Sequence, residues 1–232
     1  MFARILFAAV IGGIAAALLL TGVQSVKVLP LILEAETYEG GSADHHHDAP
    51  AADDHAHDAD AWAPADGGER LVFTLMTNTL TGVAFALLLT AGMTLRGSPG
   101  WREGMVWGVA GYAVFSLAPA MGLPPELPGM VAGDLVERQI WWAGTALATG
   151  AGLALIIFVP RAVVRALGVL LIIAPQAIGA PHPEAAHGTV PAELAAAFVG
   201  ATLSANLLFW LAIGGVSAYA FERLHTPEPR HA

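Results

Sequence analysis

Cysteine is absent from the 232 residues. That excludes disulfides, iron–sulfur clusters and thiolate metal sites, so any metal must be held by His, carboxylate, Met or backbone oxygen. Charge is also scarce. Only 12% of residues are Asp, Glu, Lys or Arg, about half the roughly 25% of a soluble domain. No basic patch is present for a nucleic-acid partner. The phosphate-binding loop G-x-x-x-x-G-K-[ST], the zinc motif H-E-x-x-H and the nucleophile motif G-x-S-x-G are all missing, and with them the sequence signs of an ATPase, a metalloprotease or an acyl hydrolase. No catalytic residue is assigned, and the chain reads as a non-enzyme.

What the sequence has is apolar length. Apolar residues make up 56% and mean hydropathy is +0.62. Runs near 20 residues, enough to span a ~30 Å hydrocarbon core, recur at Ile5–Leu33, Leu71–Leu95, Met105–Leu123, Ile140–Pro160, Ala166–Ala180 and Leu194–Phe221. The expected fold is an all-α polytopic integral membrane helix bundle of five or six transmembrane helices. The first run should cross from about Ile5 to Ser25 and then exit or bend at Pro30. The fifth, with Pro175 near its end, is either a short span or a re-entrant segment.

Charge orients the set. Arg4, Arg96, Arg102, Arg161, Arg165, Arg223 and Arg230, seven of the ten basic residues, fall in segments on the N-terminal side of the bilayer, against Glu103, Glu222 and Glu228. The other 16 of the 19 acidic residues fall opposite, with Lys27, Arg70 and Arg138. The positive-inside rule then places the N-terminus in the cytoplasm, and six spans keep every loop consistent. Lys27 is expected to snorkel to the outer interface. Gly104-x-x-x-Gly108 and Gly144-x-x-x-Ala148-x-x-x-Gly152 are candidate close-packing stripes. The tryptophans Trp101, Trp107, Trp141, Trp142 and Trp210 are expected mostly at interfaces.

Four regions follow: a first helix and exit segment (1–39), a His/Asp-rich outer loop (40–70), the helical bundle (71–221) and a short cytoplasmic tail (222–232). From Gly40 to Asp66 the loop holds His45, His46, His47, His55 and His57 among seven Asp residues. It has no periodic apolar face, so disorder is expected. Imidazole suits Zn, Ni, Co and Cu, and interspersed carboxylates help gather cations. The loop is therefore a candidate external antenna for divalent metals.

Few polar groups lie at membrane depth. Thr77, Asn78 and Thr81, together with Ser204 and Asn206, can bond between helices or line a path. The more informative groups collect beside proline-interrupted ends on the outer side. One set runs from Pro119 to Gly129 and on to Asp134, Glu137, Arg138 and Gln139. The other runs from Pro175-Gln176 through Pro181-His182-Pro183-Glu184 to His187. Broken helix ends free carbonyls that transporters use to coordinate ions. His182, Glu184 and His187 form a candidate nitrogen and oxygen ligand set. Glu34, Glu36, Glu126, Asp134 and Glu137 could ring an access mouth.

At these segments the chain resembles the CbtA family of predicted cobalt transporter subunits. The resemblance is carried by Leu123-Pro-Pro-Glu-Leu-Pro-Gly129, Asp134 through Arg138-Gln-Ile-Trp-Trp142, Gly179-Ala-Pro-His-Pro183 and Val190-Pro191, with the opening Met-Phe-x-Arg and Glu34-Ala-Glu36-x-Tyr38. It implies a bacterial inner-membrane protein connected with cobalamin-related cobalt supply, so Co²⁺ is the metal it is expected to take up; the His and carboxylate ligands themselves serve Ni²⁺ or Zn²⁺ as well. It also implies a small single-span CbtB-like partner. No permanently bound cofactor is expected. A second reading is a non-conducting membrane module that binds or senses metal and hands it to a partner.

Overall fold

The computed structural model describes residues 1–40, 64–65, 67–97, 100–183 and 188–224. Among them every regular element is helical. Helix α1 (Phe2–Val23) runs through a π segment, Gln24–Val28, into α2 (Leu29–Gly40). After α3 (Gly68–Thr94), helix α4 (Trp101–Tyr112) passes through a second π segment, Ala113–Leu117, into the single turn α5 (Ala118–Ala120). Then come α6 (Leu135–Phe158), α7 (Ala162–Ile178) and α8 (Ala192–Arg223). Four helices are long and apolar enough to cross a membrane: Phe2–Tyr38, Gly68–Thr94, Leu135–Phe158 and Ala192–Arg223; α7 is shorter and apolar.

Contacts at the helix ends show the path alternating up and down. Arg4 donates to the Phe221 carbonyl at 2.7 Å, joining the start of α1 to the end of α8. Arg96 lies 4.2 Å over the Phe158 ring, joining the ends of α3 and α6. We call this the arginine-rich end. At the opposite, proline-rich end, Arg70 pairs with Glu36 at 2.8 Å and Gln176 donates to the Ala118 carbonyl at 2.9 Å. Helix α7 runs antiparallel to α6, from Gly168 against Gly152 up to Gln176 beside α5. Seventeen residues cover about 25 Å at 1.5 Å each, close to the height of a bilayer core.

Glycine sits at each main helix contact, because lipid gives no hydrophobic drive for helices to associate and close backbone approach must supply the attraction. Gly12 of α1 faces Ser217 of α8, Gly13 faces Gly82 of α3, Gly104 of α4 faces Gly214 of α8, and Gly152 faces Gly168 of α7. The expected Gly104/Gly108 stripe packs as read. The Gly144 stripe needs correction: a Cβ on Gly144 meets nothing within 4 Å, so only its Gly152 end makes a helix contact. Asn78 of α3 donates to Thr21 at 2.9 Å and Gln24 at 2.7 Å, tying α3 to α1, while Thr77 and Thr81 stay exposed.

Trp210 is a second correction. It is no interface anchor but 2% exposed in the middle of α8. Its ring stacks on Phe115 at 5.5 Å, packs against Phe85 at 4.8 Å, and donates to Ser116 at 3.1 Å.

Candidate functional site

The two π segments have one cause. Proline lacks an N–H and its ring clashes with the carbonyl four residues back. Pro30 and Pro119 each follow a π segment by two residues. The Ala118 N–H reaches back to Ala113 instead of Val114, and Pro119 cannot donate to Phe115. The Leu29 N–H reaches Gln24, and Pro30 cannot donate to Val26. Each break therefore leaves two successive carbonyls, Val114 and Phe115 or Ser25 and Val26, without the donor an unbroken α-helix supplies. Of the exit helix or bend expected at Pro30, the chain forms the exit helix: past the wider turn it continues to Tyr38. The sequence reading missed the π segments; a proline inside an apolar run was their only visible sign.

Beside the second break lies a cavity of about 500 Å³. The π segment contributes Phe115 and Ser116. Pro119 to Glu126 form one wall, Arg138, Gln139 and Trp142 of α6 another, and Leu203 and Asn206 of α8 close the third side. Its electrostatics reduce to one ion pair: Arg138 Nη2 lies 2.6 Å from Glu126 Oε2, each side chain about one quarter exposed. Arg138 Nε is buried with no hydrogen-bond partner. The remaining polar lining, Ser116, Gln139 and Asn206, offers neutral oxygen ligands, a donor set that cations accept.

The two proline-rich segments pack on each other at this end. The backbone at Pro181–Pro183 lies against Gly133, Gly188 lies against Gly129–Met130, and Ala180 and Trp141 lie against Gly122. His182 is exposed on that rim, its backbone against Gly133. Asp134 itself caps α6, accepting the Glu137 N–H at 2.9 Å, and Glu137 is exposed. Glu34 is exposed on α2, and Glu36 is paired with Arg70. The acidic residues are thus distributed among a cap, two ion pairs and open surface. Among the described residues, no three of His, Asp and Glu gather closely enough to hold a metal ion. His45, His46, His47, His55, His57, Glu184 and His187 lie outside the described residues.

No curated protein and no solved structure matches the chain. One family model does, that of the probable cobalt transporter subunit CbtA, over residues 2–222. With nearly the whole helical chain matched, this protein belongs to the CbtA family.

Proposed function

We propose that the chain is the inner-membrane subunit through which Co²⁺ enters the cell, crossing the bilayer six times with its arginine-rich end in the cytoplasm. Membership of a cobalt transporter subunit family carries the cobalt reading. The cavity between α5, α6 and α8 carries the location: it combines the Glu126 carboxylate, neutral oxygen donors and a helix broken at Pro119. On this reading the segment bearing His45, His46, His47, His55 and His57 collects ions outside. His182 stands at the rim, Glu184 and His187 serve with it as ligands, and the cavity receives the ion. An arriving dication competes with Arg138 for Glu126. A +2 ion moving inward gains about 4.6 kcal/mol per 100 mV, from ~2.3 kcal/mol per charge, so the drive is the membrane potential or a separate partner. The partner is a small single-span CbtB-like subunit.

A second reading is favoured by one observation: the cavity holds a single carboxylate, already neutralised by an arginine. A non-conducting module that binds metal and passes it to the partner needs no more. Labelled Co²⁺ accumulation in cells lacking their own uptake systems separates the two, with Ni²⁺ and Zn²⁺ as competitors. Accumulation that requires this chain and is displaced best by unlabelled Co²⁺ supports uptake. Membrane insertion and metal binding without accumulation support the module.

A further inference from the structure

A second cavity, of about 770 Å³, lies on the other side of α8, against α1 and the first π segment. Leu18 and Leu208 line its deep part, Gly22 and Ser204 its middle, and Lys27 and Gly200 lie toward the proline-rich end. Gly22 and Gly200 differ from the glycines in the helix contacts. A Cβ on either would meet nothing within 4 Å, so the chain's own packing does not demand glycine there, and any side chain would project into the groove. Lower down, α1 and α8 close on each other at Gly12 and Ser217. Toward the proline-rich end α8 packs again, with Val28, Ala35, Leu194 and Phe198 buried in one cluster, so the wedge between the two helices is a lateral groove open on one face.

The wedge has a polarity. From Leu18 to Lys27 the chain climbs nine residues, about 14 Å at 1.5 Å each, and α8 runs antiparallel beside it. The deep part is walled by exposed leucines, whereas the mouth carries an exposed ammonium that makes no ion pair among the described residues. The Ser204 hydroxyl is already satisfied by the Gly200 carbonyl at 2.7 Å, so Lys27 is the group that selects the occupant. A spanning partner helix would want a contact face over the whole ~30 Å core; this depression covers about half of it. An acyl chain beneath an anionic headgroup fits both its depth and its charge.

We propose that the α1/α8 wedge holds one anionic phospholipid, its phosphate on Lys27 and an acyl chain running over Gly22 toward Leu18 and Leu208. Native mass spectrometry of the purified full chain, titrated with phosphatidylglycerol or phosphatidylcholine, tests this. The expected result is one retained phosphatidylglycerol, with retention about fivefold weaker in Lys27→Ala, as for one lysine at an anionic surface, and preserved in Lys27→Arg. Gly22→Leu, which fills the groove between Lys27 and Leu18 without touching the charge, should expel either lipid. Equal retention in the wild type, Lys27→Ala and Gly22→Leu overturns the proposal. A photo-crosslinking residue at position 22, used in native membranes, gives an independent readout should the leucine variant misfold. A lipid adduct supports the proposal, and a polypeptide adduct of discrete mass overturns it in favour of a partner helix.

Discussion

Arg138 of α6 reaches across to Glu126 in the proline-rich turn, 2.6 Å between nitrogen and oxygen, and the pair lies in the wall of the cavity beside the broken helix. Competition between this guanidinium and an arriving ion gives opposite signs for the two partners. Glu126→Gln removes the charged ligand and should raise the half-saturating Co²⁺ concentration by roughly ten- to a hundredfold, from about 1.5–3 kcal/mol for a contact to a charged group. Arg138→Gln removes the competitor and should lower that concentration while slowing release. Uptake kinetics on both variants check the pair. Matching shifts in the same direction would contradict the competition.

Pro119→Ala restores a donor for the Phe115 carbonyl and removes the ring clash that widens the helix. The variant should be more resistant to unfolding yet transport less. Denaturation in detergent and Co²⁺ uptake, measured on one preparation, provide the comparison.

The contrast between two glycines of α6 is a packing test. Gly152→Leu forces a side chain against Gly168 and Ile172, whereas Gly144 faces open space. Overpacking of that kind costs about 1–3 kcal/mol, so Gly152→Leu should lose yield and stability and Gly144→Leu neither.

Asn78→Leu deletes both hydrogen bonds from α3 to Thr21 and Gln24. Interhelical bonds in membranes average ~0.6 kcal/mol and reach ~1.7, so a loss of about 1–2 kcal/mol is expected in an unfolding titration.

Deleting residues 41–63, which contain the five clustered histidines, should raise the half-saturating Co²⁺ concentration and spare the maximal rate. In the intact chain that advantage should vanish as pH falls below ~6.5, because imidazole binds metal only when neutral. Uptake curves at two pH values, with and without the segment, decide it.

Apolar run length made every long helix legible, but helix ends less so. Leu71–Leu95 corresponds to Gly68–Thr94, and Ile140–Pro160 to Leu135–Phe158. The offsets arise where polar first turns such as Glu69-Arg70 or Glu137-Arg138 stay helical outside the hydrocarbon, beyond what hydropathy records. Which face each helix buries was less visible, since residues facing lipid are as apolar as residues facing protein. That is why Gly152 and Gly144 look alike in sequence and differ in the fold. The cavity was half legible. Glu126, Arg138, Gln139, Asn206 and the prolines stood out beforehand, but Ser116 did not, and it meets Asn206 there only because of the π segment and the antiparallel α8.

The most direct test of cobalt entry uses the purified chain in sealed liposomes, with and without its single-span partner. An inside-negative potential is imposed, and a Co²⁺-quenched dye is enclosed in the lumen. Quenching that follows the potential and is slowed by Glu126→Gln is the predicted result. A lumen that stays unquenched with both subunits present, while Co²⁺ still binds the protein, would contradict conduction by this chain.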